Sequence, residues 1–246
     1  EETETKLIFE GPGNDPMIIM PDADVEAAVD GAISCGLNNG GQSCSAFERF
    51  FVHESIEEVF SLRLIDKLRL LKIGNVKEST TDIGPVASKL VLNRILTQLE
   101  DAVSQGAHLK YGGNVVTDTH SGLPVIIPAV LTNCLQSMSV VEKETFGPVF
   151  PLIKFSSMDD LLPALDDTNY GLNASVYGTP YPLLMDHLIN SHRNVYENST
   201  CVSRENIESR IIDGGFKRSG FIWEKKNNDY ITRMGPRSLV HELSNP

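Results

Sequence analysis

The sequence predicts an α/β fold: a three-layer α/β/α domain built on a mostly parallel sheet. Segments with apolar residues at helical spacing alternate with short apolar runs of strand length, which is the pattern of βαβ units. Parallel strands joined by helical crossovers form a sheet that helices cover on both faces. The 246 residues can bury a large core, and no internal repeat, low-complexity tract or linker divides them, so one domain is expected.

The elements follow in order. "ADVEAAVDGAISCGLNNG" (23–40) places Val25, Ala28, Val29, Ala32, Ile33 and Leu37 at roughly helical spacing, with Asp22 or Asp24 as the N-cap. "RFFVHE" (49–54) reads as a strand. "SIEEVFSLRLIDKLRLL" (55–71) is an amphipathic helix opened by Ser55, with Glu58 three residues on completing a capping box. A loop rich in turn formers leads to a helix over 88–106 that Gly106 ends. Strand-like "HLKYGG", "PVIIPAVLTN", "VFPLIKF", "ASVYG" and "NVYEN" follow, the later ones separated by helical segments at 158–168 and 180–192. "PRSLVHEL" near the C-terminus reads as an isolated strand.

Composition narrows the function classes. A hydrophobic content of 41% with 22% charged residues is ordinary for a globular chain. The net charge of −12 argues against nonspecific binding to nucleic acid or anionic membrane, which requires a basic surface. No run approaches the ~18 apolar residues of a membrane span. The acidic start "EETETKLIFE" lacks the basic-then-apolar order of a signal peptide. Having no Met, it reads equally as an internal cut in a longer protein, on the approach to a strand. Four cysteines (Cys35, Cys44, Cys134, Cys201) are too few for a disulfide scaffold, and no C-x-x-C or H-x-x-x-H pattern suggests a metal site. Free thiols fit a reducing, cytoplasmic setting.

Cys44 draws attention because it follows Gly40, Gly41, Gln42 and Ser43 and precedes a strand. Glycines there permit backbone geometry closed to other residues, and such a turn can present a side chain to a cleft. Buried free cysteine is common, so residue type alone favours a structural role. That bland reading holds for Cys35 and Cys201, in apolar runs, while Cys134 in "TNCLQS" reads as a loop thiol. Glu10 closes the run "LIF" and opens the turn cluster "GPGNDP"; Glu144 likewise precedes a turn, Gly147-Pro148, and a strand. In parallel sheets functional groups gather at the carboxyl ends of strands and in the loops there, and the residues alone go no further than a thiol and several carboxylates at loop positions.

The ordered motifs resemble the catalytic half of the NAD(P)-dependent aldehyde dehydrogenase superfamily. "GQSC" resembles its nucleophile motif, continued as C-x-A-x-x-R through Cys44, Ala46 and Arg49. "FEGPGNDP" stands in the place of its Glu-Leu-Gly-Gly-Lys-x-Pro signature. Glu10 and Cys44 are 34 positions apart (44 − 10), as in the family. "ETFGPV" (144–149) resembles the cofactor-ribose motif, and "DIGPVAS", "TNYGLNASVYG" and "GGFKRSG" match other family blocks. The resemblance covers nearly the whole chain.

The resemblance implies a fold of the aldehyde-dehydrogenase catalytic-domain type over 1–235, and a C-terminal strand in 236–246 that serves oligomerisation. It implies that Cys44 attacks an aldehyde, that Glu10 activates water, and that Glu144, with Phe146 packed nearby, binds the nicotinamide ribose of NAD or NADP. No metal is implied. Asn169, followed by Tyr170-Gly171, reads at least as well as a turn former. The family's N-terminal dinucleotide-binding domain is absent from this chain. It is the expected partner in the full-length protein, together with a small-molecule aldehyde and further copies of the chain, so the chain alone is expected to be inactive. Pro12 fixes φ where the family has a glycine, a change expected to move Glu10. "SGFIWEKKNND" departs from the family's Gly-rich segment, which implies either a divergent enzyme or a substrate entrance remodelled around Trp223. A degenerate relative with a scaffold or assembly role is the alternative reading, and a thiol hydrolase a weaker third.

Overall fold

The computed structural model describes residues 7–202, 215–226, 229–233 and 238–241. Strand β1 (Leu7–Glu10) turns directly into β2 (Asp15–Ile19). Helix α1 (Val25–Gly36) starts at Asp24, whose carboxylate accepts the N–H groups of Glu26 at 2.9 Å and Ala27 at 3.1 Å. Asp24 is thus the cap, satisfying two donors that the helix itself leaves open. After β3 (Phe47–His53) comes α2 (Glu57–Leu68). The capping box expected of Ser55 and Glu58 is not formed. The helix begins after Ile56, and the Ser55 hydroxyl lies 2.8 Å from Nδ1 of His53 instead. Acidic Glu57 and Glu58 in the first turn still complement the helix dipole.

Ser88 caps α3 (Lys89–Ser104), accepting the Val91 N–H at 3.3 Å, and Gly106 follows the helix with φ +100°. Next come β4 (His108–Tyr111), β5 (Val115–Thr117), β6 (Pro124–Ile126) and β7 (Ala129–Thr132). The single apolar run "PVIIPAVLTN" is therefore two strands, because Pro128 has no N–H with which to continue a ladder. The short α4 (Ser139–Glu142) precedes β8 (Val149–Phe155). Then follow α5 (Met158–Asp166), capped by Ser157, β9 (Asn173–Tyr177), α6 (Pro182–Ser191) and β10 (Asn194–Glu197). Near the C-terminus lie β11 (Gly220–Lys226), β12 (Asp229–Arg233) and β13 (Ser238–His241).

Among the described residues the main sheet has the order β13-β10-β9-β2-β3-β8-β7-β4. Every neighbouring pair is parallel except β4 with β7. The α/β class and mostly parallel sheet match the expectation. Strand β13, expected to stand alone, instead extends the edge of this sheet, with Asn194 opposite Ser238 and Glu197 opposite His241. The segment "SGFIWEKKNND" begins a β11–β12 hairpin whose first strand pairs antiparallel with β1. The expectation concerning Trp223 falls on a side chain outside the described set.

The period of two along β2 builds the layers. Met17 and Ile19 join a core cluster with α1 and α2 through Ala28, Val29, Ala32, Phe60 and Leu64. Ile18 and Met20 join the opposite cluster with α3, α5 and α6 through Ile95, Leu99, Leu161, Leu165 and Leu188. Phe50 and Phe150 pack at 5.2 Å between ring centroids, both fully buried. Truncating Phe50 removes a ring from a close-packed site. Phe50→Ala is expected to lower stability by about 3–5 kcal/mol, read as a lower denaturant midpoint.

Candidate active site

The chain leaves α1 through three consecutive left-handed residues: Asn39 (φ 54°), Gly40 (φ 68°) and Gly41 (φ 74°). A side chain at Gly41 would overlap the backbone of Gly147, so that position needs glycine for both conformation and space. Gln42 ties the loop down. Its Nε2 donates to the Asn39 carbonyl at 3.2 Å, and its Oε1 accepts the Ala87 N–H at 2.7 Å. The Ala46 N–H then donates to the Ser43 carbonyl at 3.1 Å, closing a turn with Cys44 at its second position. Cys44 is exposed there, and the other three cysteines are buried. Cys134 lies in a loop as expected, yet burial pushes its thiol up to about 12. Cys35 and Cys201 bring their sulfurs within 3.4 Å of each other in the core.

Glu10, exposed at the end of β1, faces Gly220 across the ladder. The Gly11 N–H donates to the Ser219 carbonyl at 2.9 Å, and the Ser219 hydroxyl donates to the Pro12 carbonyl at 2.8 Å. A side chain at Gly13 would overlap the carbonyl of Cys44, and the Gly13 N–H donates to Oε1 of Glu144 at 3.1 Å. One tight turn thus abuts the Cys44 loop and the Glu144 carboxylate together. Gly11 also makes a close approach, to the carbonyl of Arg218, so Pro12 stands between the two positions where a side chain would not fit.

Cys44 and Glu144 precede β3 and β8, so the groups meet at the amino ends of these strands. That is where the sequence order places them, and the general carboxyl-end rule for parallel sheets does not describe this site. What positions them is the pairing of β1 with β11 outside the main sheet and the passage of the 11–14 turn across the entrances of β2 and β3.

Three further residues shape the site, and the sequence reading did not single them out. Glu48, 2% exposed, accepts the N–H groups of Thr145 at 2.7 Å and Phe146 at 2.6 Å. Phe146 has φ 56°, a conformation costing a non-glycine residue about 1–2 kcal/mol, so its neighbours must hold it. The guanidinium of Arg94 lies 6.0 Å from the Phe146 ring centroid. Its Nε is buried without a hydrogen-bond partner, and its charge acts on Glu144. Asp15 is buried at the start of β2, bonded by Nδ2 of Asn173 at 2.7 Å. The available signal was a charge placed where strand-like apolar residues surround it, as in "SAFERFFV" and "NDPMII". Arg49, part of the nucleophile motif, is fully buried, and its Nε donates to the Asn14 carbonyl at 3.0 Å. Burial lowers the guanidinium to about 10.

The electrostatics disfavour a resting thiolate. Although Cys44 is exposed, its surroundings still desolvate the thiol, and Asp15, Glu144 and Glu10 push it further up. Burial raises the Glu144 carboxyl, partly opposed by the Gly13 N–H and by Arg94. Burial also holds Asp15 and Glu48 well above the usual carboxylate range. Chemically, the arrangement offers a presented thiol, an exposed carboxylate, and a half-buried carboxylate held by the Gly13 N–H.

A family model described as "Aldehyde dehydrogenase family" matches residues 1–235. The chain belongs to the aldehyde dehydrogenase family. It is 36% identical to a sulfoacetaldehyde dehydrogenase of Neptuniibacter caesariensis over 172 residues, 70% of this chain and 36% of that protein. Against a probable succinate-semialdehyde dehydrogenase [NADP(+)] of Synechocystis sp. it is 34% identical over 237 residues, 96% of this chain and 49% of that one. A solved 3,6-anhydro-L-galactose dehydrogenase in complex with NAP superposes with TM-score 0.78 at 29% identity, covering 91% of this chain and 48% of the other. A succinate-semialdehyde dehydrogenase from Burkholderia pseudomallei gives TM-score 0.77 at 31% identity, covering 91% and 47%. The chain spans half or less of the length of these aldehyde dehydrogenases.

The geometry predicts that Cys44 is alkylated by iodoacetamide well before Cys35, Cys134 and Cys201, as peptide mass spectrometry would report. Because neighbouring carboxylates raise the thiol, Glu144→Gln should lower its pKa. The alkylation rate at neutral pH should then rise, and the midpoint of its pH profile should move down.

Proposed function

We propose that residues 1–235 are the catalytic domain of an NAD(P)-dependent aldehyde dehydrogenase. The carrying observation is the turn at 11–14, which sets the carbonyl of Cys44 and the carboxylate of Glu144 against one glycine, directly after Glu10. In this reading Cys44 attacks the aldehyde carbonyl and forms a thiohemiacetal, with its own N–H helping to hold the oxyanion. NAD or NADP, when bound, accepts the hydride. Cys44 then carries a thioester. Glu10 takes a proton from the water that hydrolyses it, releasing the carboxylic acid and the free thiol.

The raised thiol gives the base a second task. Cys44 must lose its proton before it attacks, and Glu10 is the exposed carboxylate near enough to act electrostatically on it. Glu144 fits a ribose diol, since a carboxylate accepts hydroxyl hydrogens and the Gly13 N–H and the charge of Arg94 favour its ionised form. Phe146, in the same loop, packs nearby. The rest of the dinucleotide would be held by an N-terminal dinucleotide-binding domain in the full-length protein. The chain by itself would then be inactive.

In the full-length protein, Cys44→Ser should abolish aldehyde-dependent NAD(P)H formation. Glu10→Gln should slow steady-state turnover by roughly 10²–10⁴-fold, the range of general-base effects. A correctly folded full-length protein that oxidises no aldehyde, across a broad panel with either cofactor, would favour the scaffold reading instead.

The C-terminal segment 236–246 would serve assembly. Strand β13 adds in parallel to the exposed edge of β10, and the same addition made by a second copy yields a homo-oligomer by strand exchange. Full-length protein ending at residue 235 should sediment as a smaller species than the intact protein.

A further inference from the structure

We propose that Glu48 is a positioning residue for the cofactor-ribose loop, its carboxylate holding the consecutive N–H groups of Thr145 and Phe146 so that Glu144 stays beside Gly13. This rests on the reading of Glu144 as the ribose-binding carboxylate.

Glu48 is the extra residue of a β-bulge. Across β2 and β3, Asp15 faces Phe47 but Pro16 faces Arg49, so Glu48 has no partner on β2. The bulge also resets the alternation: Phe47 and Phe50, three apart, both join the core on the α1–α2 side. Bulges re-aim side chains near functional sites, and here the released side chain reaches a loop 97 positions away. Two successive N–H groups converging on one carboxylate form the kind of concavity that binds anions. A carboxylate at 2% exposure is costly to keep there, and apolar residues would fill the space at less cost. What it provides is a fixed left-handed Phe146, with φ 56°. That geometry sets Gly147 directly against Gly41 on the nucleophile loop. The start of β3 thereby fixes the spacing between Cys44 and Glu144.

The test uses full-length protein carrying Glu48→Gln, whose side chain keeps the volume but has one acceptor oxygen in place of two. The expected result is a rise of about ten-fold in KM for NAD(P)+, the order for losing one hydrogen bond to a charged group. It should come with a smaller change in kcat and with Cys44 alkylation by iodoacetamide that is not slowed, since a looser Glu144 raises the thiol less. Glu144→Gln should raise the same KM, and the double variant should be less than additive, because both act through one loop. A folded Glu48→Gln protein with wild-type KM, while Glu144→Gln raises it, overturns the proposal and leaves the ribose reading standing. So does a Glu48→Gln protein in which alkylation and kcat fall while KM does not move. Wild-type KM in Glu144→Gln itself defeats the ribose reading instead. Should Glu48→Gln not fold, Glu48→Asp, which keeps the charge and shortens the reach, carries the test with the same signs.

Discussion

The site depends on one steric constraint, the absence of a side chain at Gly13. Its Cβ position is already taken by the Cys44 carbonyl, and its N–H is committed to Glu144. From that contact the remaining geometry follows. The turn carries Glu10 on its near side, β1 pairs with β11 to hold the turn, and Ser219 bonds Pro12 from the opposite flank. Gly41 against Gly147 repeats the device one step further out. Backbones brought together without intervening side chains leave little freedom for the groups they carry.

The second organising feature is charge. Asp15, Glu48 and Glu144 crowd one region, and burial raises all three carboxyls. Desolvation, with Asp15, Glu144 and Glu10 adding to it, lifts the Cys44 thiol and so disfavours a standing thiolate, the form most open to oxidation. An acidic surround is a poor setting for a standing thiolate, which is why the proposed mechanism has a neighbouring base take the proton as the substrate arrives. Arg94 and Arg49 offset part of the negative charge, the first acting on Glu144 and the second on Asp15.

Much of this was legible in local pattern. Helices α1 and α3 were marked by their own apolar spacing, the first with Asp22 or Asp24 as its cap and the second with Gly106 as its end, because capping is a matter of neighbouring residues. The turn that presents Cys44 was marked by the glycines before it, although residue type alone favoured burial. Where a local signal had two possible users it failed. Ser55 had the right spacing for a capping box, but His53 took its hydroxyl. The strand at 238–241 read as isolated because nothing within it indicates that the edge of β10 lies open to it.

By itself the sequence determined the α/β class, the alternation of helices and strands, and the identity of the thiol and carboxylates that its motifs share with the aldehyde dehydrogenase family, since these rest on periodicity and on ordered blocks along the chain. It did not mark β2 or the β11–β12 hairpin. Tertiary structure alone decided that the Cys44 loop and Glu144 are brought against one turn after Glu10, that Asp15 and Glu48 are buried carboxylates, and that the thiol is raised. Those properties arise from contacts between segments up to 158 positions apart, such as Asp15 with Asn173. Burial and electric field are set by what packs around a group, and no stretch of neighbouring residues encodes them.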